Sequence, residues 1–194
     1  MIEVFEEYRP ILITRKVTWQ MPYGGWYKCN TDGASKGNPG HSSIEIYVRD
    51  DACDLIHARA VEVGITTNVV AKAKAILEGL EYCVEQDLHP LILETDSLVL
   101  KKVIEGEWDP PWCLGAEVQK IKEIRNRFSM IFQHVFREGN TMADFLANMV
   151  FSFAVNLQFN NFYELPTAGR RLINKDKSQI SNLRVRIAKR KAPD

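Results

Sequence analysis

The order of strand-like and helix-like hydrophobic patterns along this chain restricts it to few folds. Three segments with the apolar pattern of β-strands come first, separated only by short polar turns: residues 26–33, 43–49 and 55–63. Consecutive strands joined by short turns usually pair antiparallel. A strongly amphipathic segment rich in Ala and Leu then begins at Val69 and ends at Glu85, which predicts a long helix. The first half therefore predicts an antiparallel meander followed by a helix.

The second half of the chain alternates strands with helices. The apolar run Pro90–Thr95 predicts a buried strand, and Ser97 is a typical N-terminal cap for a helix that ends at Glu105. Three more elements follow: a helix over residues 114–128, a strand over 130–136 and a helix from 141 to about 155. Strands that alternate with helices tend to pair in parallel. We predict an α/β fold with a five-stranded mixed sheet, three antiparallel strands and then parallel strands, flanked by helices.

The length and the charge distribution indicate one domain with extensions. The 194 residues predict a lead-in at 1–25, a domain at 26–155 and a basic extension at 156–194 that is irregular or partly disordered. Residues 29–149 carry 12 Lys and Arg against 19 Asp and Glu, whereas residues 150–194 carry 9 against 3. This asymmetry indicates either a metal-dependent acidic site or a tail that binds phosphate. The alternative is a tail that only screens the acidic body.

Several classes of protein do not fit this composition. There is no run of about 18 apolar residues, so no membrane partner is expected, and the acidic start MIEVFEEYRP is unlike a signal peptide. Four scattered cysteines without paired spacing argue against a zinc site and against a disulfide framework. We therefore expect an intracellular monomer, in the nucleus or the cytoplasm. The basic run RVRIAKRK allows a nuclear signal or a phosphate-binding arm.

Three aspartates occupy matching positions in the predicted fold. Asp32 ends the first strand, Asp96 follows the fourth strand, and Asp144 lies in the first turn of the last helix. Because the first and fourth strands are plausible neighbours, their ends can meet near the start of that helix. Carboxylates that cluster against their own repulsion most often bind divalent cations, and paired Mg²⁺ ions can activate water for phosphodiester hydrolysis. Each aspartate alone could equally be a helix cap or a solvated strand end.

Four motifs give the chain a specific resemblance. They are DGASKGNPG at residues 32–40, TTN at 66–68, TDS at 95–97 and REGNTMADFLA at 137–147. Together they resemble the ribonuclease H type 1 family, and more narrowly its plant reverse-transcriptase-like branch, found in retroelement polyproteins and in free-standing plant genes. The lead-in VTWQMPYGGWYKCN and the tail segments LPTAGRR and INKDK resemble that branch too, so the likeness extends from about residue 17 onward.

The resemblance implies an activity and a set of roles. The activity is endonucleolytic hydrolysis of RNA in RNA–DNA hybrids, with Mg²⁺ or Mn²⁺ as the cofactor. The resemblance makes three residues catalytic metal ligands: Asp32, Asp96 and Asp144. It places four others along the substrate path: Asn38, Asn68, Arg137 and Asn140. An asparagine offers both a donor and an acceptor, which suits recognition of a 2′-hydroxyl, although each could instead be a turn or cap residue. His134 is interpreted as a structural residue.

One departure from the family pattern affects the predicted metal site. The family places a glutamate in the first turn of the first long helix, four residues after the Asn of TTN, and this chain has Lys72 there. Lys72 shares its helix face with Ile76 and Leu80, the apolar side that packs on the sheet. An ammonium about 4 Å from a carboxylate interacts at about 4 kcal/mol at an effective dielectric of 20, and so competes with Mg²⁺. We expect weakened metal binding and impaired catalysis, with Glu94 as a conceivable substitute ligand.

Two further positions depart from the pattern. Glu45 in the second strand and Cys53 in the hairpin turn both replace a usual glycine, a residue that permits positive φ or close backbone approach. Both changes indicate drift or tolerated local strain. Two other functions thus stay open beside an impaired ribonuclease H: a non-catalytic module that binds nucleic acid, and a protein-interaction domain on the same fold.

Overall fold

The computed structural model describes residues 11–188, and a six-stranded mixed sheet lies at its centre, with strand order β6-β5-β2-β3-β4-β7. The strands are β1 Leu12–Val17, β2 Tyr27–Gly37, β3 Gly40–Arg49, β4 Leu55–Thr66, β5 Leu91–Thr95, β6 Met130–His134, β7 Leu157–Phe159 and β8 Asn182–Ile187. The helices are α1 Asn68–Glu85, α2 Leu98–Glu105, α3 Gly115–Arg125, α4 Thr141–Phe153 and α5 Thr167–Lys177. No helix within residues 11–188 has the length and apolar character needed to cross a membrane.

The predicted α/β architecture is confirmed. Strands β2, β3 and β4 form the antiparallel meander, and β5 and β6 add to it in parallel beside β2. Parallel pairing requires a long crossover, which α1 supplies between β4 and β5. Thr67 caps α1, since its side chain accepts a hydrogen bond from the backbone N–H of Val70. Ser97 caps α2 in the same way.

Helix α1 packs unusually close to β2, and two glycines allow it. A Cβ on Gly79 would lie 2.9 Å from the sulfur of Cys29, and a Cβ on Gly33 would lie 2.4 Å from the backbone nitrogen of Lys72. Both separations are shorter than a real side chain tolerates. Glycine at these two positions therefore lets α1 lie close against the middle of β2, where Asp32 lies.

The two faces of the sheet have separate cores. Helices α1, α2 and α3 cover one face through an apolar cluster that includes Ile76, Leu80 and Leu100. Helices α4 and α5 pack against the other face through a second cluster that includes Tyr47, Leu146 and Ile173. The second face also carries buried charge, because the Arg49 guanidinium donates to Asp176 of α5 at 2.8 Å and lies 3.6 Å from the centre of the Trp19 ring.

The expectation of an irregular or partly disordered C-terminal extension is wrong for the part of it that the structure describes. Strand β7 pairs with β4 and adds a sixth strand to the predicted five. Helix α5 buries Ile173 and Asp176, and β8 pairs antiparallel with β1 of the lead-in. The periodicity of these short segments is too weak to predict them, because each is stabilised by partners distant in the sequence.

The turn between β3 and β4 shows why glycine is usual there. Cys53 has a φ of 64°, in the left-handed region that a side chain disfavours, and its side chain is buried. Such a conformation in a non-glycine residue costs about 1–2 kcal/mol. The tolerated strain predicted at Cys53 is thus found in the backbone.

Candidate active site

The structure brings Asp32 and Asp96 together on two central strands of the sheet. Asp96 directly follows β5, but the prediction that Asp32 ends its strand is wrong, because β2 continues to Gly37 by pairing with β3. Strands β2 and β5 are parallel neighbours with Thr31 opposite Thr95, so the residues that follow each of these threonines lie side by side. Asp32 is buried, and its backbone environment is tight because α1 approaches at Gly33. Parallel pairing of β2 and β5 therefore produces the carboxylate pair predicted from the sequence.

Lys72 lies between these two aspartates. Its Nζ atom donates hydrogen bonds to Oδ1 of Asp32 and to Oδ1 of Asp96, and its side chain is only 13% exposed. Burial alone would lower the pKa of Lys72, but the charges of the two carboxylates and their hydrogen bonds outweigh it and raise the pKa. Lys72 therefore stays protonated and acts as a built-in cation.

The same contacts affect Asp32 differently. Burial raises the pKa of Asp32 to about 6, and the charge of Asp96 adds to the rise, while Lys72 opposes both. The shared ammonium of Lys72 therefore compensates the loss of hydration of Asp32 only in part.

Asp144, the third predicted carboxylate, has a different partner. Arg137 donates from its NH2 atom to Oδ1 of Asp144 at 2.8 Å, and from Nε at 3.2 Å. Arg137 is 72% exposed, so this pair lies at the solvent side of the site. The hydrogen bond and the negative charge of Asp144 raise the pKa of Arg137. The structure thus pairs two residues whose roles were predicted separately.

Glu45 is a fourth carboxylate that the sequence analysis treated only as a departure from glycine. It lies directly opposite Asp32 in the β2–β3 register and therefore points to the same face of the sheet. Glu45 is 0% exposed, Ser43 donates to its Oε1, and its Oε2 has no hydrogen-bond partner within residues 11–188. Burial raises the pKa of Glu45 to about 8, so the carboxyl group is mostly neutral at pH 7. Cross-strand pairing was the signal that could have placed it beside Asp32.

The residues as arranged do not fit a pair of divalent metal ions. Carboxylate oxygens are suitable Mg²⁺ ligands, but Asp32 and Asp96 both accept from Lys72, and Asp144 is paired with Arg137. In the described part of the chain, no group of three or more His, Cys, Asp or Glu residues is arranged to hold a metal ion. The ammonium of Lys72 takes the place between the carboxylates where a cation would otherwise be needed.

Two of the predicted substrate-path asparagines lie near Asp32. Asn38 in the β2–β3 turn is exposed, and its Oδ1 accepts from the backbone N–H of Asn68 at 3.0 Å. Asn68 in turn donates to the carbonyl oxygen of Gly33 at 3.1 Å. These bonds tie the hairpin to the start of α1 and keep both amides near the end of β2.

Asn140 has a mostly internal environment. It is 1% exposed, its Oδ1 accepts from the Tyr47 hydroxyl at 3.0 Å, and its Nδ2 donates to the carbonyl oxygen of Thr31 at 3.2 Å. Within the fold, Asn140 therefore anchors the turn that carries Arg137 to the sheet.

Glu94 and His134 also have partners of their own. Glu94 accepts from Lys28 Nζ and from Asn30 Nδ2, each at 2.7 Å, on buried side chains. That network occupies both carboxylate oxygens, so Glu94 is not available as the substitute ligand considered above. His134 contacts the backbone oxygen of Asp96 through Nε2 at 3.2 Å, which orients the chain at that aspartate.

Comparison with known protein sequences identifies the family of this chain. The profile of the reverse transcriptase-like family matches residues 30–150. A protein of Arabidopsis thaliana named provisionally as a ribonuclease H is 30% identical over 165 residues, which is 84% of this chain and 26% of that protein. Ribonuclease HI of Halobacterium salinarum is 28% identical over 127 residues, 64% of each chain. The chain therefore spans less than two thirds of the length of these curated relatives.

Solved structures of ribonucleases H have a fold similar to that of this chain. The crystal structure of RNase H1 from Halobacterium salinarum has a TM-score of 0.62 and 26% identity, and covers 66% of this chain and 98% of that one. LC11-RNase H1, solved in complex with an RNA/DNA hybrid, has a TM-score of 0.61 and 27% identity over the same share of each. With the matched profile, the neighbouring aspartates on β2 and directly after β5, and these similar structures, the chain belongs to the reverse transcriptase-like family and contains a ribonuclease H-like domain.

Proposed function

We propose that this domain binds RNA–DNA hybrids at the surface formed by β2, β5 and α4. We also propose that Lys72 impairs its metal-dependent hydrolysis of the RNA strand. The observation that carries the proposal is the pair of hydrogen bonds from Lys72 Nζ to Asp32 and Asp96. The hybrid as substrate is supported by the likeness to LC11-RNase H1, whose structure contains one.

The impairment follows from competition between two cations. A divalent ion that binds Asp32 and Asp96 must displace the Lys72 ammonium or share the carboxylates with it. Each contact between unit charges about 4 Å apart is worth about 4 kcal/mol at an effective dielectric of 20. Losing a part of that weakens Mg²⁺ or Mn²⁺ binding by orders of magnitude, since about 1.4 kcal/mol corresponds to a factor of ten.

Binding of nucleic acid does not depend on the metal in the same way. Asn38 is exposed beside the site, and Arg137 is mostly exposed next to Asp144. Amide and guanidinium groups contact sugar hydroxyls and phosphates without a metal ion. A domain that has lost cleavage can therefore still bind a hybrid. The compartment and the oligomeric state stay predictions from the sequence.

The test is cleavage of a labelled RNA–DNA hybrid in Mg²⁺ and in Mn²⁺, with hybrid binding measured in parallel. We compare the parent chain, Lys72→Glu, and Lys72→Glu combined with Glu45→Gly. The double variant is needed because Lys72→Glu alone adds a carboxylate beside Asp32, Asp96 and buried Glu45. We expect weak or no cleavage by the parent and a clear gain in at least the double variant.

Each other outcome selects a different function. Efficient cleavage by the parent contradicts the role given to Lys72. Hybrid binding without cleavage in any variant favours a non-catalytic nucleic-acid-binding module. The absence of hybrid binding by the parent favours a protein-interaction domain and overturns the proposal.

A further inference from the structure

Strands β1 and β8 form a two-stranded ribbon with positive charge and no acidic residue. Its sequences are LITRKV and NLRVRI, paired antiparallel with Arg15 opposite Arg184 and Ile13 opposite Arg186. Directly opposed residues project from the same face of a ribbon. The three arginines therefore share one face, although like charges in such positions repel one another.

A groove of about 380 Å³ opens on that arginine face. Its lining consists of Ile13, Arg15, Phe136, Arg184, Arg186, Ile187 and Ala188, and we call it the arginine groove. The guanidinium carbons of Arg15 and Arg184 lie 4.9 and 4.5 Å from the centre of the Phe136 ring. Such cation–π contacts hold the guanidinium groups in place at a partly hydrated surface.

The charge of the groove is not balanced. Glu138 pairs with Arg184 at 2.7 Å, and among the described residues it is the carboxylate that forms an ion pair with the ribbon. Within residues 11–188, neither Arg15 nor Arg186 has a carboxylate partner at salt-bridge distance, and both are exposed. Within the part of the chain that the structure describes, the guanidinium groups of Arg15, held against Phe136, and of Arg186 can therefore both bind an anion.

The ribbon is attached directly to the candidate active site. Asn182 donates to the backbone oxygen of Glu138 at 2.6 Å, in addition to the Arg184–Glu138 pair. The preceding residue is Arg137, which binds Asp144. A second groove of about 330 Å³, lined by Arg137, Glu138, Thr141, Asp144, Asn182 and Leu183, lies between the two regions. The surface from Asp144 to the ribbon is thus continuous.

We propose that the arginine groove binds backbone phosphates of the nucleic-acid strand that leaves the candidate active site past Asp144. This inference rests on the proposed function and adds a second contact region to it. Guanidinium groups bind phosphate oxygens in a bidentate geometry, and a rigid ribbon positions them at little entropic cost.

A nucleic acid fits this groove better than an acidic protein does. The arginine groove continues from the surface at which the hybrid is proposed to bind. A strand bound at that surface therefore reaches the groove as well. Phosphates recur along a strand at regular spacing, which suits cations placed along two adjacent strands of a ribbon.

The test measures binding of the full chain to a fluorescent RNA–DNA hybrid across a range of KCl concentrations, in EDTA to prevent cleavage. The variant is Arg15→Gln with Arg186→Gln, which leaves the Arg184–Glu138 pair intact. The control is Arg171→Gln with Lys177→Gln, which removes the same charge from exposed positions on α5 outside the groove. Circular dichroism checks that both variants fold.

We expect the magnitude of the slope of log K against log[KCl] to fall by about 1.4–1.8 in the groove variant, since each of the two lost phosphate contacts removes about 0.7–0.9. Affinity at moderate salt should fall by about tenfold, and the control should change little. Equal slopes for parent, groove variant and control overturn the arginine groove while the proposed function stands. No binding by the parent overturns both.

A parallel titration with poly-glutamate tests whether the arginine groove binds an acidic protein instead of a nucleic acid. If poly-glutamate binding depends on Arg15 and Arg186 while hybrid binding does not, the groove serves an acidic protein and the proposal is wrong. If only hybrid binding depends on them, the nucleic-acid assignment is confirmed.

Discussion

Two groups of buried charges lie on this one sheet, and they are balanced differently. In the Lys72 cluster, formed by Lys72, Asp32, Asp96 and Glu45, one ammonium faces three carboxyl groups. In the lead-in network, formed by Trp19, Lys28, Asn30, Glu94, Arg49 and Asp176, each carboxylate has its own cation. The first group keeps an excess of carboxyl groups around one ammonium. The second group fastens the lead-in and α5 to the sheet.

The largest expected effect is the loss of stability caused by breaking the lead-in network. Asp176→Ala leaves the fully buried Arg49 guanidinium without its carboxylate, and we expect a loss of about 3–5 kcal/mol of unfolding free energy. Urea denaturation measures it. Asp54→Ala is the matched control, because its pair with Lys177 is exposed and should contribute less than about 1 kcal/mol. Equal effects of the two substitutions would show that the network does not hold the extension to the sheet.

The pH dependence of stability tests the excess of carboxyl groups in the Lys72 cluster. Burial raises the pKa of Glu45 to about 8 and that of Asp32 to about 6, above their ordinary values of 4.5 and 3.8. The unfolded chain therefore loses these protons at lower pH than the folded chain does, so rising pH favours unfolding. We expect stability to fall by on the order of 3 kcal/mol between about pH 5 and pH 8.

Glu45→Gln should remove most of that fall between about pH 6 and pH 8, because the amide cannot ionise. Denaturation at several pH values checks it, with Glu62→Gln on the exposed side of β4 as the control. A parent chain whose stability rises over this range would contradict the buried, neutral state assigned to Glu45.

Removing the cation itself should have a smaller effect. Lys72→Met keeps the length of the side chain but leaves Asp32 and Asp96 without a counter-ion, and we expect a loss of about 2 kcal/mol near pH 8. Excess MgCl₂ should restore part of the melting temperature of Lys72→Met and leave the parent unchanged, since only the variant offers free carboxylates. Lys74→Met on the same helix is the control. An equal response of parent and variant to Mg²⁺ would contradict the view of Lys72 as a built-in cation.

The smallest expected effect concerns the exposed pair at the rim of the site. Arg137→Gln removes a partner from Asp144, but Arg137 is mostly exposed, so stability should change by less than about 1 kcal/mol. Hybrid affinity should nevertheless fall, because a phosphate contact is lost. Thermal melting and hybrid binding measured on one preparation separate the two. A large loss of stability would move Arg137 from the binding surface into the structural core of the loop.

Much of the site could be predicted because it follows from local pattern. Asp32 lies on β2 and Asp96 directly after its parallel neighbour β5, and Lys72 lies on the apolar face of α1, so their meeting follows from periodicity and strand order. The opposition of Glu45 to Asp32 depends on the β2–β3 register, which the turn sequence alone does not specify. The pairing of Arg137 with Asp144 depends on the turn between β6 and α4.

The sequence by itself determined the order of strands and helices from β2 to α4, the family, and the identity of the cation among the carboxylates. These depend on periodicity and on motifs, which are local properties of the chain. Only the tertiary structure decided that Trp19 and Asp176 meet at Arg49, and that β1 pairs with β8 to form the arginine groove. Arg49 and Asp176 are 127 residues apart in the sequence, and β1 and β8 lie near opposite ends of the described residues. Short segments of this kind gain their stability from burial and pairing with distant partners, so their own residues carry little signal of the structure they adopt.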